Sequence, residues 1–338
     1  MATRHSSRDD APAYLVRYEA RRQRAAAGVG AAETSPDFVV RARHRATERA
    51  LEEMTRDDVP PGRTAAFARE TNTPRELQYP DQFRSRLAGS RDVRLIRHGQ
   101  TQGYISDGGL SPMGHWQSHR KGQDLAKGLK EGQTVRIVHA RTARARETAT
   151  GVHEGILQAM SRYGIGGVTV EDPAPGAAFD NFQAWFDGKE MDVTAAFQEY
   201  ARVQDGYQRS GTGDRAGWMV EIERFWRIQA AGGDPITHWL AQPMQYVEPA
   251  ALVVRRWWKG ITEAVKEGPD GLRLLVCAHS GPIRAVATQA VGHDPGEPNN
   301  VEDVRIRLYA DLQHAVLTYR GRGVEIEVPT TVTPSWYR

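Results

Sequence analysis

The chain has 338 residues, 39% hydrophobic and 26% charged, ordinary globular values that exclude a wholly disordered polymer. With 45 Lys and Arg against 42 Asp and Glu, the formal charge is +3, too small an excess to imply nucleic acid by itself. The single cysteine, Cys277, excludes an intramolecular disulfide and any multi-cysteine metal site, and no apolar run resembles a signal peptide or membrane span, so a soluble, cytoplasmic protein is expected.

Residues 1–90 read as a helical N-terminal extension rich in Arg, Ala, Asp and Glu. Segments 11–27 and 37–54 are its predicted helices, with Ser35-Pro36-Asp37 as a start signal for the second. Pro60-Pro61-Gly62 breaks the chain, 64–70 is a short helical candidate, and 71–91 connects onward. Mixed charge makes this extension a solvated collar or an arm for homo-oligomerisation, in preference to a nucleic-acid-binding arm.

From Asp92 the pattern alternates between strand and helix. Strands are expected at 93–97, 134–139 and 272–278, and helices at 112–130, 144–160, 218–230, 248–266 and 282–291. Three extended segments follow, 304–308, 314–319 and 324–328, the last two joined by Arg320-Gly321-Arg322-Gly323. The rhythm implies an α/β three-layer sandwich, a mostly parallel sheet flanked by helices, over 91–330, with a C-terminal tail at 331–338. Cys277 lies inside the apolar run 272–278 and reads as a small core residue.

Four short blocks carry the chemistry. They are Leu95-Ile96-Arg97-His98-Gly99-Gln100-Thr101, Leu110-Ser111-Pro112-Met113-Gly114, Arg144-Ala145-Arg146-Glu147-Thr148-Ala149, and His279-Ser280-Gly281. Ligands bind beyond the carboxyl ends of strands in open α/β sheets. His98, Arg144 and His279 all follow predicted strands and so fall on one rim. Arginine offers a planar fork of charge-assisted donors to a phosphate, and helix N-termini behind Arg144 and Ser280 add N–H groups. A neutral imidazole can attack phosphorus, dividing one hydrolysis into two easier steps.

These blocks, in this order, resemble the signature of the histidine phosphatase superfamily, the phosphoglycerate-mutase-like fold, over about 92–328. The resemblance implies that His98 is the nucleophile that becomes phosphorylated, with Arg97, Arg144 and His279 forming the phosphate pocket. Gln100, Thr101 and Ser280 would border it. It also implies a carboxylic acid that protonates the leaving oxygen; Asp180 is the choice, with Asp187 and Glu171 as alternatives. The family's asparagine six residues after the first histidine is Tyr104 here, placed at the substrate edge, and its serine four residues before the catalytic arginine is Ala140.

Residues 174–250 occupy the place of a cap insertion. Trp185, Trp218, Trp226, Trp239 and Tyr207 would either line a pocket or build the cap's own core, the second being favoured for most. One of Trp257 and Trp258, at least, reads as core. The remaining histidines show no metal-ligand spacing, and no cofactor is expected. The reading is a metal-independent, histidine acid phosphatase-like phosphomonoesterase acting on a small phosphorylated metabolite, from the broad phosphatase branch. Alternatives are a phosphomutase on the same fold and a non-catalytic scaffold that uses the N-terminal extension.

Overall fold

The computed structural model describes residues 87, 89–102, 108–210, 216–242 and 244–329. The helices expected in 1–90, the tail at 331–338 and Tyr104 lie outside the described residues, as does the side chain of Tyr207. The architecture is α/β, a mixed sheet of mostly parallel strands with helices on both faces.

Its backbone is set by β1 (Arg91–Arg97), β2 (Thr134–His139) and β7 (Leu272–Ala278), which pair in parallel in the order β1-β7-β2. All seven residues of β7 are buried, as expected of a strand covered on both faces. The short strands β3 (Thr169–Val170) and β4 (Ala174–Pro175) pair in parallel with the outer side of β2. On the other side of β1 the sheet turns antiparallel through β8 (Asp303–Leu308), β9 (His314–Tyr319) and β10 (Arg322–Glu327). Arg320 and Gly321 both have positive φ, 46° and 78°, the geometry of a two-residue hairpin turn matched to strand twist.

Alternation along the strands sorts the core into two layers. Ile96, Val135, Ile137, Leu275 and Cys277 face α1 (Pro112–Ala126) and α2 (Ala143–Tyr163). Val93, Leu95, Leu274 and Val276 join the opposite core with Trp257, Trp258 and Ile261 of α6 (Ala250–Lys266) and Ile283 and Val286 of α7 (Ser280–Val291). Cys277 is a buried free thiol, its pKa pushed up by burial to about 12. Both members of the Trp257-Trp258 pair are buried.

Several helix boundaries differ from expectation, and α2 runs three residues past 160, to Tyr163, where Gly164 closes it with a φ of 63°. α1 ends at Ala126, where the turn through Lys127 and Gly128 closes it instead of continuing to 130. α6 begins at Ala250 because Pro249 disfavours helical geometry at Glu248 and itself occupies the N-cap. α7 begins at Ser280, two residues early, because Pro282 is tolerated within a first turn, where its missing N–H is not required.

Between β4 and α6 lie a hairpin, β5 (Gln183–Phe186) with β6 (Lys189–Asp192), and three helices, α3 (Val193–Ser210), α4 (Gly217–Ala230) and α5 (Pro235–Ala241). Asp187 and Gly188 turn the hairpin with φ of 46° and 74°. Most of the tryptophans here are packing residues. Trp239 is buried, stacks on Phe182 at 4.1 Å and donates its indole N–H to the Glu248 carbonyl. Trp218 packs on Phe186, Trp226 on Phe197, and only Trp185 is broadly exposed among the four. β4 itself belongs to the main sheet, so the intervening segment starts near 176.

A buried arginine fastens this segment to the central layer. Arg284 of α7 is 1% exposed and ion-paired to Asp234, the N-cap of α5, and to Asp294; it also donates to Thr237. Asp234 accepts the Ile236 N–H, so one carboxylate both caps a helix and neutralises the guanidinium.

Candidate active site

His98 extends β1 by one ladder bond, its N–H donating to the Ala278 carbonyl at 2.8 Å. His279 follows Ala278 directly and forms the N-cap of α7. Two neighbouring parallel strands thus deliver the two imidazoles side by side, ring centroids 5.5 Å apart and 64° between planes.

The glycine after His98 is required by close packing. A Cβ on Gly99 would sit 2.6 Å from the Gly114 carbonyl oxygen and 2.9 Å from Ser118 Oγ, and one on Gly114 would strike the Gln100 backbone. The turn after the first histidine and the start of α1 therefore press together with no room for side chains. Ser111 caps α1 by accepting from the Gly114 N–H, and donates its hydroxyl to Gln100 Oε1. Gln117 accepts the Gln100 N–H. Gln100 is thereby tied into this junction, and Thr101 bridges to Leu110. Thr148 accepts the Gly99 N–H at 3.0 Å while donating to the Arg144 carbonyl, which ties the turn to α2.

Hydrogen bonding assigns each ring a tautomer. His98 Nδ1 lies 2.8 Å from the Gly99 carbonyl, which can only accept, so Nδ1 carries the proton and Nε2 holds the lone pair. Arg144 Nε donates to His279 Nδ1 at 3.3 Å, which puts the second proton on Nε2, facing Thr142 Oγ1 at 3.3 Å. Burial, and then the Arg97 and Arg144 guanidinium groups, lower the His98 pKa to about 3 against the pull of the Gly99 bond. Burial, then Arg144, His98 and Arg97, hold His279 well below its ordinary value. Both rings are neutral at neutral pH.

Two arginines flank the pair. Arg97 pairs with Glu297 at 2.7 Å and donates to the Pro298 carbonyl, while its buried Nε finds no partner among the described residues. Arg144, buried at the start of α2, reaches Thr194 Oγ1 at 3.3 Å in the first turn of α3. Asn300 donates to the His98 carbonyl at 3.2 Å. Ser280 is the first residue of α7 and partly exposed.

The candidate acids have separate fates. Asp180 accepts the Arg141 N–H at 2.8 Å and the Arg141 Nε–H at 2.7 Å, and Thr142, the residue after Arg141, faces the second histidine. Asp187 stands at the β5–β6 turn. Glu171 is held by Arg136 at 2.7 and 3.1 Å and reads as a structural ion pair near the start of β2. The residues unforeseen from sequence are Thr142, Thr194, Glu297 and Asn300, single polar side chains outside the four blocks, while Thr148 lay inside the third block with no role assigned to it.

Fold and site together define a pair of neutral histidines set between two arginines at the carboxyl rim of an α/β sheet. The chain matches no known family model and no curated protein. Among solved structures it is similar to Bacillus stearothermophilus YhfR, at 15% identity and TM-score 0.42, over 72% of this chain and 98% of that one. It is also similar to the mycobacterial glucosyl-3-phosphoglycerate phosphatase Rv2419c, at 16% identity and TM-score 0.38, over 65% and 91%. A putative alpha-ribazole-5'-P phosphatase from Escherichia coli shows 16% identity and TM-score 0.38, over 70% and 99%. Similarity at this level says nothing about the chemistry of the site.

Proposed function

We propose that the chain is a phosphomonoesterase working through a phosphohistidine on His98. The observation that carries this reading is the tautomer of His98. Its Nδ1–H is committed to Gly99, its Nε2 lone pair has no partner among the described residues, and burial with two guanidinium groups keeps the ring unprotonated.

In the first half-reaction His98 Nε2 forms a bond to phosphorus as the ester P–O bond breaks. The leaving oxygen takes a proton from a carboxylic acid, and Asp180 is the best placed of the candidates beside the site. In the second half, water attacks phosphorus, the P–N bond breaks, and the now ionised carboxylate takes the water's proton. Inorganic phosphate leaves and the neutral imidazole is regenerated. Arg97, Arg144 and the Nε2–H of His279 supply charge and donors to the non-bridging oxygens, the stabilisation on which phosphoryl transfer chiefly depends. The unpartnered Nε–H of Arg97 is one further donor of the kind a phosphate satisfies.

Asp180 reaches the acid role only after leaving Arg141, because a carboxylate surrounded by N–H donors has no place for the proton it must give. Thr194 shows that the segment between β4 and α6 reaches Arg144, in keeping with a cap that borders the leaving group and selects a small phosphorylated metabolite. The test is hydrolysis of phenyl phosphate in the presence of chelator by wild type and His98→Ala, with acid-quench trapping of labelled phosphoenzyme. Chelator-resistant turnover and label in wild type alone support the reading. Turnover that survives in His98→Ala overturns it.

A further inference from the structure

The rim that carries the two imidazoles also carries the turn of the last hairpin. β8 runs antiparallel to β1, and β9 antiparallel to β8. β9 therefore points the same way as β1, and its end reaches the same rim. Arg320 follows β9 directly and opens the turn with a φ of 46°. That left-handed position favours glycine or asparagine, so an arginine there points to work done by its side chain.

All three nitrogens of that guanidinium are committed to one loop. Nε and one terminal nitrogen hold the two Glu302 carboxylate oxygens, at 2.8 and 3.0 Å. The same terminal nitrogen donates to the Glu297 carbonyl at 2.7 Å, and the other to the Pro295 carbonyl at 2.7 Å. The 295–302 loop has no helix or strand of its own, and this single fork closes it across both ends. The same loop holds Arg97. The Arg97 N–H donates to the Glu302 carbonyl at 3.0 Å, and the Arg97 carbonyl accepts the Val301 N–H at 3.1 Å. The Arg97 side chain pairs with the Glu297 carboxylate at 2.7 Å and donates to the Pro298 carbonyl. Glu297 and Glu302 thus each serve both arginines, giving a carbonyl to one and a carboxylate to the other.

We propose that Arg320 is a positioning residue of the site: by closing the 295–302 loop it fixes the carboxylate and the carbonyl that orient the Arg97 guanidinium toward phosphate. The consequence for catalysis rests on the phosphatase reading, while the placing of Arg97 does not. Without Arg320 the loop keeps its backbone bonds to β1 through Val301 and Glu302 and loses those at Pro295 and Glu297. Arg97 then stays in the sheet, but its side chain loses a fixed direction. A donor displaced by about an ångström can lose on the order of 100-fold in rate.

The test uses the full chain with Arg320→Ala and Arg320→Lys. The Arg97 Nε–H resonance, recognised by its loss in Arg97→Lys, is followed by NMR beside kinetics on phenyl phosphate. The resonance is expected to move in both variants. In Arg320→Ala, kcat should fall about tenfold or more while KM stays within about threefold. Low-millimolar guanidinium chloride should then raise that kcat at least about threefold and leave wild type unchanged, since the free ion replaces the missing fork. Arg320→Lys keeps the charge without the fork, and carries the resonance and kcat comparison should Arg320→Ala not fold. A resonance that stays in place, or an unchanged kcat, overturns the proposal. A loss that guanidinium does not restore assigns Arg320 to stability alone and overturns it too. If wild type hydrolyses no ester, the phosphatase reading fails, and a resonance moved in both variants still upholds the placing of Arg97 by Arg320.

Discussion

Asp180 and Arg141 form a two-point pair, with Arg141 Nε and its terminal nitrogen 2.7 and 2.6 Å from the same carboxylate oxygen, Oδ2. The pair holds the proposed acid as an acceptor from Arg141, one residue before Thr142. A leaving-group series separates an acid from a mere tether. Asp180→Asn is expected to lower kcat for phenyl phosphate by about 100-fold or more, the scale of general acid catalysis. For 2,4-dinitrophenyl phosphate, whose leaving group needs no proton, the loss should stay under about tenfold. Equal losses on both esters would remove Asp180 from proton transfer.

The neutral histidines predict a pH signature. His98 is lowered to about 3 in the folded chain, while an unfolded histidine titrates near its ordinary 6.5. Between those values the unfolded chain binds more protons, so stability rises with pH and is lost as pH falls from 6.5 toward 3. His279, lowered in the same direction, adds to the slope. Urea titrations across this window should show a shallower decline for His98→Gln than for wild type. The His98 ring resonance should stay at its neutral shift at pH 5.

At Gly99, even one methyl group is too large. The nearest atoms to its would-be Cβ are a backbone carbonyl oxygen and a helix-borne hydroxyl, neither on a flexible side chain. Gly99→Ala is expected to cost about 1–3 kcal/mol, the range for overpacking a tight junction. It should also displace His98, lowering kcat more than it raises KM. Denaturation midpoints and phenyl phosphate kinetics measure the two effects.

Removing the Arg284 guanidinium leaves the Asp234 and Asp294 carboxylates facing each other's charge. Arg284→Ala is expected to destabilise by about 3–5 kcal/mol, as for a broken buried ion pair. Adding Asp294→Asn in the same chain should recover part of that loss. No recovery would mean that packing volume, not charge, accounts for the cost.

The histidine and arginine end of the site was legible because its residues sit in short, dense blocks at strand ends. Alternation and apolar runs placed β1, β2 and β7, and the rim rule then brought His98, Arg144 and His279 together. Gly99 and Gly114 were visible as motif letters, while their mutual packing emerged only from the juxtaposition of turn and helix. Thr194 and Asn300 gave no signal, since each is one polar residue in a segment without periodicity, brought to the site by long-range packing. The Asp180–Arg141 pair was hidden for the same reason: a loop aspartate shows no preference for one arginine over another until the loops are placed. Trp239 could have read as pocket or core, and its stacking on Phe182 decides for core. Cys277 needed no structure, because a thiol sharing its strand with five apolar residues has nowhere else to go.

His98 and His279 ride on strands that hydrogen-bond to one another, in a register where Arg97 faces Ala278. The gap between the two rings is therefore set by the pairing of these two strands. The side chains around that pair, Thr142, Thr194 and Asn300 among them, come from loops and from α3. Descendants of this sequence can change what they recognise by altering those outer parts, while the spacing of the two imidazoles passes unaltered from one specificity to the next.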